Sequence, residues 1–296
     1  MKNITSYVYS FEELIQGDFL YVDKTEYIWN LISPGKGMYF LSRPRRFGKS
    51  LAVSTLKAVF EGKRELFKGL AIYDKPYDWK AYPVIHLDMN GCSFSSVDEM
   101  NRSLCGLLRE AGDEHNISIA GDEPNLMFRQ LILRMAEKGQ VVILVDEYDK
   151  PILNNLARPQ VQEILNSLKA FYSVIKAFES RERFVFVTGV SKFCHVSLFS
   201  DLNNLTDISM NRDYATMFGY TQGEFEACFA DRIDCACRQL GLPRGELLPE
   251  IRAWYDGYRF EEKSECVYNP VSLAQFFMNN CKFSNYWFST GTPPRF

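Results

Sequence analysis

The chain has 296 residues, of which 46% are hydrophobic and 24% charged, with 34 Lys and Arg against 37 Asp and Glu. Such a composition supports a real core and excludes a wholly disordered chain. The net charge of -3 excludes a polycationic nucleic-acid coat and leaves room for a local basic patch.

In chain order, an aromatic-rich lead-in (FEELIQGDFLYVDKTEYIWNLI) carries helical spacing from Lys24 to Leu31 and ends at the turn signal PGKG. Met38 to Leu41 reads as a short buried strand, SRPRRFGKS as a loop, and Leu51 to Glu61 as a helix. Pro83 to Met89 is a second strand, followed by helices over Val97 to Ala111 and Pro124 to Lys138. Pro124 suits an early helical position, and Gly139 ends that helix. Gln140 to Asp146 is nearly continuous apolar and β-branched sequence, as expected of a central strand covered on both faces. Pro159 to Phe178 is a long helix, Arg183 to Thr188 a fourth strand and Leu205 to Met210 a weaker fifth. This rhythm predicts an α/β sandwich with a mostly parallel sheet. Beyond about Asn211, helical spacing over Thr221 to Leu240, Leu247 to Tyr255 and Ser272 to Asn280 predicts a mainly helical lid or appendage. The expected division is therefore a core with its lead-in over 1–210 and an appendage over 211–296, with STGTPP resembling the start of a linker.

No apolar segment follows Lys2, so a secretory signal is not expected, and the longest apolar run, VVILV, has a strand's length. A cytoplasmic protein without a membrane span is expected. Eight cysteines fall below disulfide-scaffold density. Cys228, Cys235 and Cys237 lack zinc spacing and are read as reduced apolar fillers.

The chemistry concentrates in two places. The segment Arg43-Pro44-Arg45-Arg46-Phe47-Gly48-Lys49-Ser50-Leu51 lies between a strand and a helix, where a Walker A loop must lie. Loop amides and a helix N-terminus converge there on phosphate oxygens. Gly48 permits close backbone approach, Lys49 reaches the β and γ oxygens, and Ser50 ligates Mg²⁺. The usual first glycine is replaced by Arg43. Three arginines beside Lys49 repel one another unless an anion is present, which favours phosphate binding over a basic surface turn. At the end of the Val141 strand, Asp146 is placed to hold Mg²⁺ through a water and Glu147 to polarise the attacking water. The plainer reading is a strand-exit turn with solvated acids. Thr188, ending the next strand, is placed to sense the γ-phosphate, with Ser191 and Lys192 just beyond. Asp88 and Asp149 are weaker candidates, and Arg181, Arg183, Arg212 and Arg259 are candidates for a charge-compensating arginine. With no guanine-reading NKxD-like segment suitably placed, ATP is favoured over GTP.

RPRRFGKS, VDEYDKP, TGVSKF, YDGYRF, YNPVSL and YWFSTGTP together resemble the bacterial AAA-ATPase-like family over almost the whole chain. An arginine at the first Walker position is that family's habit. The resemblance implies a P-loop NTPase three-layer sandwich of the additional-strand Glu type, order 5-1-4-3-2. It also implies that a domain similar to PD-(D/E)XK nucleases commonly follows. The expected function is Mg²⁺-dependent ATP hydrolysis driving a conformational change, coupled to an unidentified protein or nucleic-acid partner. The alternative is a slow nucleotide-dependent switch or scaffold. Direct DNA binding by the appendage arginines, and a small-molecule kinase, are weaker readings.

Overall fold

The computed structural model describes residues 1–192, Leu198 and 204–287. Five parallel strands form one sheet: β1 (Gly37–Ser42), β2 (Val84–Asp88), β3 (Val141–Asp146), β4 (Glu182–Gly189) and β5 (Thr206–Asp207). Read from β5, their order is 5-1-4-3-2, the order expected of the additional-strand P-loop fold. The fifth strand is shorter than the Leu205 to Met210 run suggested. Only Thr206 and Asp207 pair, with Tyr39 and Phe40.

Two clusters of apolar side chains cover the two faces of the sheet. Along β3, Val141, Ile143 and Val145 join the first cluster, with α4 (Val97–Asp113), α5 (Pro124–Ala136) and α7 (Val161–Ala177). Val142 and Leu144 join the second, with α3 (Lys49–Phe60) and the lead-in helices α1 (Phe11–Gln16) and α2 (Thr25–Ile32). The strict alternation is the period-two geometry of a strand buried on both sides. A short α6 (Lys150–Leu153) follows β3. The lead-in is part of the core: Phe11 stacks on Phe67 with ring centres 4.6 Å apart, and its N–H donates to Ser54 Oγ at 2.8 Å.

The C-terminal region has its own apolar cluster, built from Phe225, Phe229, Ile233, Leu247, Ile251 and Phe276 among others. Its helices are α8 (Gln222–Cys228), α9 (Ala230–Leu240), α10 (Arg244–Tyr255) and α11 (Pro270–Met278). The single helix expected over Thr221 to Leu240 is broken at Phe229, which is buried and leaves helical geometry at φ -109°. Capping fixes the starts of α8 and α11: Thr221 and Glu224 form a reciprocal capping box, and Asn269 caps α11 ahead of Pro270. Of the three cysteines read as apolar fillers, Cys228 and Cys235 are exposed and Cys237 is partly buried, whereas Cys105 and Cys281 are buried. Among the described residues no helix is long and apolar enough to cross a membrane. The tail from 288 onward, including STGTPP, lies outside the described residues.

Candidate functional site

The loop between β1 and α3 turns into its helix through Gly48, whose φ of +89° is the left-handed conformation that glycine adopts without strain. Arg46 reaches +70° in the same turn. The helix starts at Lys49, two residues earlier than its apolar spacing suggested, so Lys49 and Ser50 occupy the first turn. No side chain caps that turn. Its leading N–H groups and the helix dipole therefore make a ready anion site.

Lys49 is 5% exposed, and its Nζ donates to the carbonyls of Arg43 at 3.1 Å and Pro44 at 3.0 Å. Burial pushes its pKa down, while the carboxylates of Asp146, Glu147 and Asp149 hold it up. Asp146 is 1% exposed, and burial pushes its carboxyl up to about 6, against a hydrogen bond from Ser50 and the charge of Lys49. Asp88 and Glu147 push it further up. Strand alternation explains the gathering. Asp146 continues the face of Val142 and Leu144, and Thr188 continues that of Phe184 and Phe186, which is the face α3 covers. Asp88 lies in register with Asp146, and Thr188 with Leu41. Thr188 is fully buried, and its Oγ1 has no hydrogen-bond partner among the described residues. Glu147 turns away from the strand in a left-handed conformation, φ +51°, with its amide on Asp146 Oδ1 at 2.9 Å.

The remaining loop residues divide by role. The Arg43 guanidinium is buried and donates to the carbonyls of Ser42 (2.9 Å), Ser209 (2.6 Å) and Tyr214 (3.1 Å). It also lies 4.1 Å from the centre of the Phe260 ring. Burial lowers its pKa to about 10, opposed by Asp207. Arg43 thus braces the loop against the segment after β5, a job a glycine could not do. Phe47 is buried, its ring packed edge-on against Tyr258 and Phe260. Arg46 donates to the Tyr9 hydroxyl at 2.6 Å. Pro44 and Arg45 border a groove of about 1230 Å³ with Ser191, Lys192 and Arg259, while Leu51 lines a smaller cavity.

Asp149, a marginal candidate by sequence, organises the site. Its buried carboxylate accepts from the N–H of Val190 (3.1 Å) and of Ser191 (2.5 Å), fixing the exit of β4 just past Thr188. A Cβ on Gly189 would lie 2.5 Å from Asp149 Oδ1, so the close approach requires glycine. The sequence signal was available: a fourth acidic-segment position, followed across the fold by Thr-Gly. Of the arginine candidates, Arg181 and Arg183 lie at the start of β4, roughly 20 Å of strand away from Gly189 at about 3.3 Å per residue. Both are therefore removed from the site. Arg212 is exposed in the turn after β5, and Arg259 is brought to the groove beside Pro44.

The donor set suits a magnesium-bound nucleotide. Mg²⁺ is held by one or two carboxylate or hydroxyl ligands plus substrate phosphates and waters, not by a cage of protein ligands. Ser50 and Asp146 provide such a pair, and among the described residues no group of three or more His, Cys, Asp or Glu could hold an ion alone. A cation beside Asp146 and an anion beside Lys49 would each oppose the neutralising effect of burial.

Residues 7–199 match a family model described as a predicted AAA-ATPase, AAA-ATPase-like. The chain is also 41% identical over 297 residues to a protein of Azotobacter chroococcum mcd 1 described as an uncharacterized protein in the vnfD 5′ region. The match takes in 99% of this chain and 55% of that relative, so the chain spans about half of the relative's length.

Proposed function

The chain belongs to the AAA-ATPase-like family, and from that membership we propose that it binds and hydrolyses ATP with Mg²⁺ at the β1–α3 loop. The observation that carries the reading is the Lys49 ammonium resting on loop carbonyls in the field of Asp146, Glu147 and Asp149. In this reading Lys49 and the amides of the loop from Arg43 to Leu51 bind the phosphates. Ser50 and Asp146 would hold Mg²⁺, which supplies neutralisation of phosphate charge. Glu147 orients the attacking water and takes its proton, and Thr188 Oγ1 senses the γ-phosphate. In this reading the helical region from 211 onward acts as a lid or appendage whose position follows the nucleotide state. The work is passed to a partner or to a nucleic-acid-processing domain; a relative nearly twice as long supports a coupled function.

The test is steady-state hydrolysis and ATP binding by the parent and Glu147→Gln. Loss of the general base should cut turnover by about 10²-fold or more with ATP still bound. A parent that binds ATP but scarcely hydrolyses it, and is unaffected by the substitution, would replace this reading with the slow-switch alternative.

A further inference from the structure

Two openings of the surface meet at Tyr258 and Trp287. Both residues line the groove of about 1230 Å³ beside Pro44 and Arg45. Both also line a smaller cavity of about 300 Å³ in the C-terminal region, bordered by Trp254, Asp256 and Asn269. The groove is basic: Arg45, Arg158, Lys192 and Arg259 line it, with no carboxylate among its described lining residues. Elsewhere on the surface Lys57, Lys63 and Arg244 each meet two carboxylates, at 3.8 Å or less. In the groove Lys192 pairs with Asp207 at 2.8 Å, but Arg158 and Arg259 have no ion pair among the described residues. They donate to neutral atoms, Asn155 Oδ1 and Cys266 Sγ, each at 3.5 Å. Cations gathered without acids call for an anion from outside.

The smaller cavity has a flat wall and hydrogen-bonding groups of both kinds. Trp254 stacks on Phe283 with ring centres 5.9 Å apart, yet stays 48% exposed. Asn269 is 1% exposed, and its Oδ1 accepts from the Ser272 N–H at 2.9 Å. That bond fixes which end of the amide is which, and Nδ2 has no hydrogen-bond partner among the described residues. A buried donor is rarely left open, so an acceptor on a ligand would complete it. Asp256 accepts from the Gly257 N–H at 2.7 Å and from Arg252 Nε at 3.2 Å, and its carboxylate keeps lone pairs for a further donor.

An acidic peptide would answer the groove but not the cavity, where Asp256 repels a second negative charge. A nucleobase carries acceptors and N–H donors on its edge and a flat face for Trp254, and its phosphates answer the groove. Only an unstacked base can enter such a cavity, which selects a single strand over a duplex. We propose that groove and cavity together hold single-stranded nucleic acid. Its phosphates run along Arg45, Arg158, Lys192 and Arg259, and one base lies on Trp254 against Asn269 and Asp256. This is the class of partner that the ATPase reading leaves open. The inference rests on that reading for the strand being worked upon, whereas strand binding without nucleotide tests the groove separately.

The test is fluorescence anisotropy, without nucleotide, of a labelled oligothymidylate of about 12 nucleotides. Its affinity for the unmodified chain should fall about 20- to 50-fold between about 50 and 200 mM salt, as for three or four neutralised phosphates. A duplex of that length and an oligoglutamate peptide should each bind at least about tenfold more weakly. Trp254→Ala removes the stacking face, and Asn269→Ser removes the amide donor while keeping a capping oxygen for α11. Each variant, once shown by its melting curve to be folded, should weaken the strand about fivefold or more with the salt dependence unchanged. Arg158→Ala should instead lower the log–log salt slope by about 0.7. No strand binding at about 50 mM salt, equal binding of the duplex or the peptide, or parental affinity in both cavity variants overturns the inference. Strand binding with these signatures by a protein that does not hydrolyse ATP keeps the strand site and overturns the ATPase reading alone.

Discussion

At the carboxyl edge of the sheet, Lys49 and Asp146 are buried in one electrostatic neighbourhood, next to an uncapped helix start and two openings. At the amino edge, Glu182 and Arg183 are buried as deeply, beside a bulge opposite Val141 and Val142. There, both Glu182 carboxyl oxygens and Arg183 Nη1 lack hydrogen-bond partners among the described residues, while Arg183 Nη2 donates to the Ile32 carbonyl at 3.1 Å. The Arg183 guanidinium lies 5.6 Å from the ring centres of Phe60 and Tyr82. Buried charge alone therefore does not mark a binding site. The carboxyl edge differs in having opposite charges gathered on one face, an oriented helix terminus and room for a ligand, and ligands of open parallel sheets belong at that edge. The amino-edge ionisable groups answer to packing.

Substitutions at the two edges should separate accordingly. The largest effect is expected from Lys49→Ala, which should lower ATP turnover by about 10²-fold or more while leaving the melting temperature near that of the parent. Turnover within about threefold of the parent would remove the carboxyl edge from the chemistry. Asp149→Asn weakens the charged acceptor of the Val190 and Ser191 amides. It should cost about 1.5–3 kcal/mol of stability, read from denaturant unfolding, and lower turnover about tenfold by loosening the segment past Thr188. A change in stability with no change in turnover would make that clamp purely structural.

At the other edge, Arg183→Met should cost about 1–2 kcal/mol with turnover within about twofold of the parent. A large loss of turnover in a folded Arg183→Met protein would break the contrast between edges. The smallest effect belongs to Glu182. Burial pushes its carboxyl from an ordinary 4.5 up to about 8, so the folded state holds it protonated at neutral pH. Its contribution to stability is complete below the unfolded value and is lost as pH rises through about 8. Glu182→Gln has no such proton to lose. Its melting temperature should pull ahead of the parent's as pH rises from 5 to 9, by about a few degrees at the end. Equal gaps at both ends would show that Glu182 is charged in the folded protein.

The sequence by itself determined the sheet and the place of the candidate phosphate loop between β1 and α3, because both are written in local terms. A short, β-branched and continuous apolar run such as Val141 to Val145 reads as a doubly covered strand. A glycine followed by Lys49 and Ser50 between strand and helix is a local arrangement of backbone and charge. The limits of the two apolar runs even placed Asp146 and Thr188 at strand ends, where a shared face follows once the strands lie side by side. Only the tertiary structure decided what depends on partners far along the chain. Arg43 stands in for a glycine because the carbonyls of Ser209 and Tyr214, more than 160 residues away, take its guanidinium. Asp149 orders a loop some 40 residues later. Arg183, read as a candidate for the site, is set at the wrong edge by strand direction. The helix expected from Thr221 to Leu240 breaks at Phe229 because the C-terminal core buries that ring. Local patterns encode periodicity and backbone freedom, whereas the partners of a buried charge are fixed only when distant segments pack and exclude water.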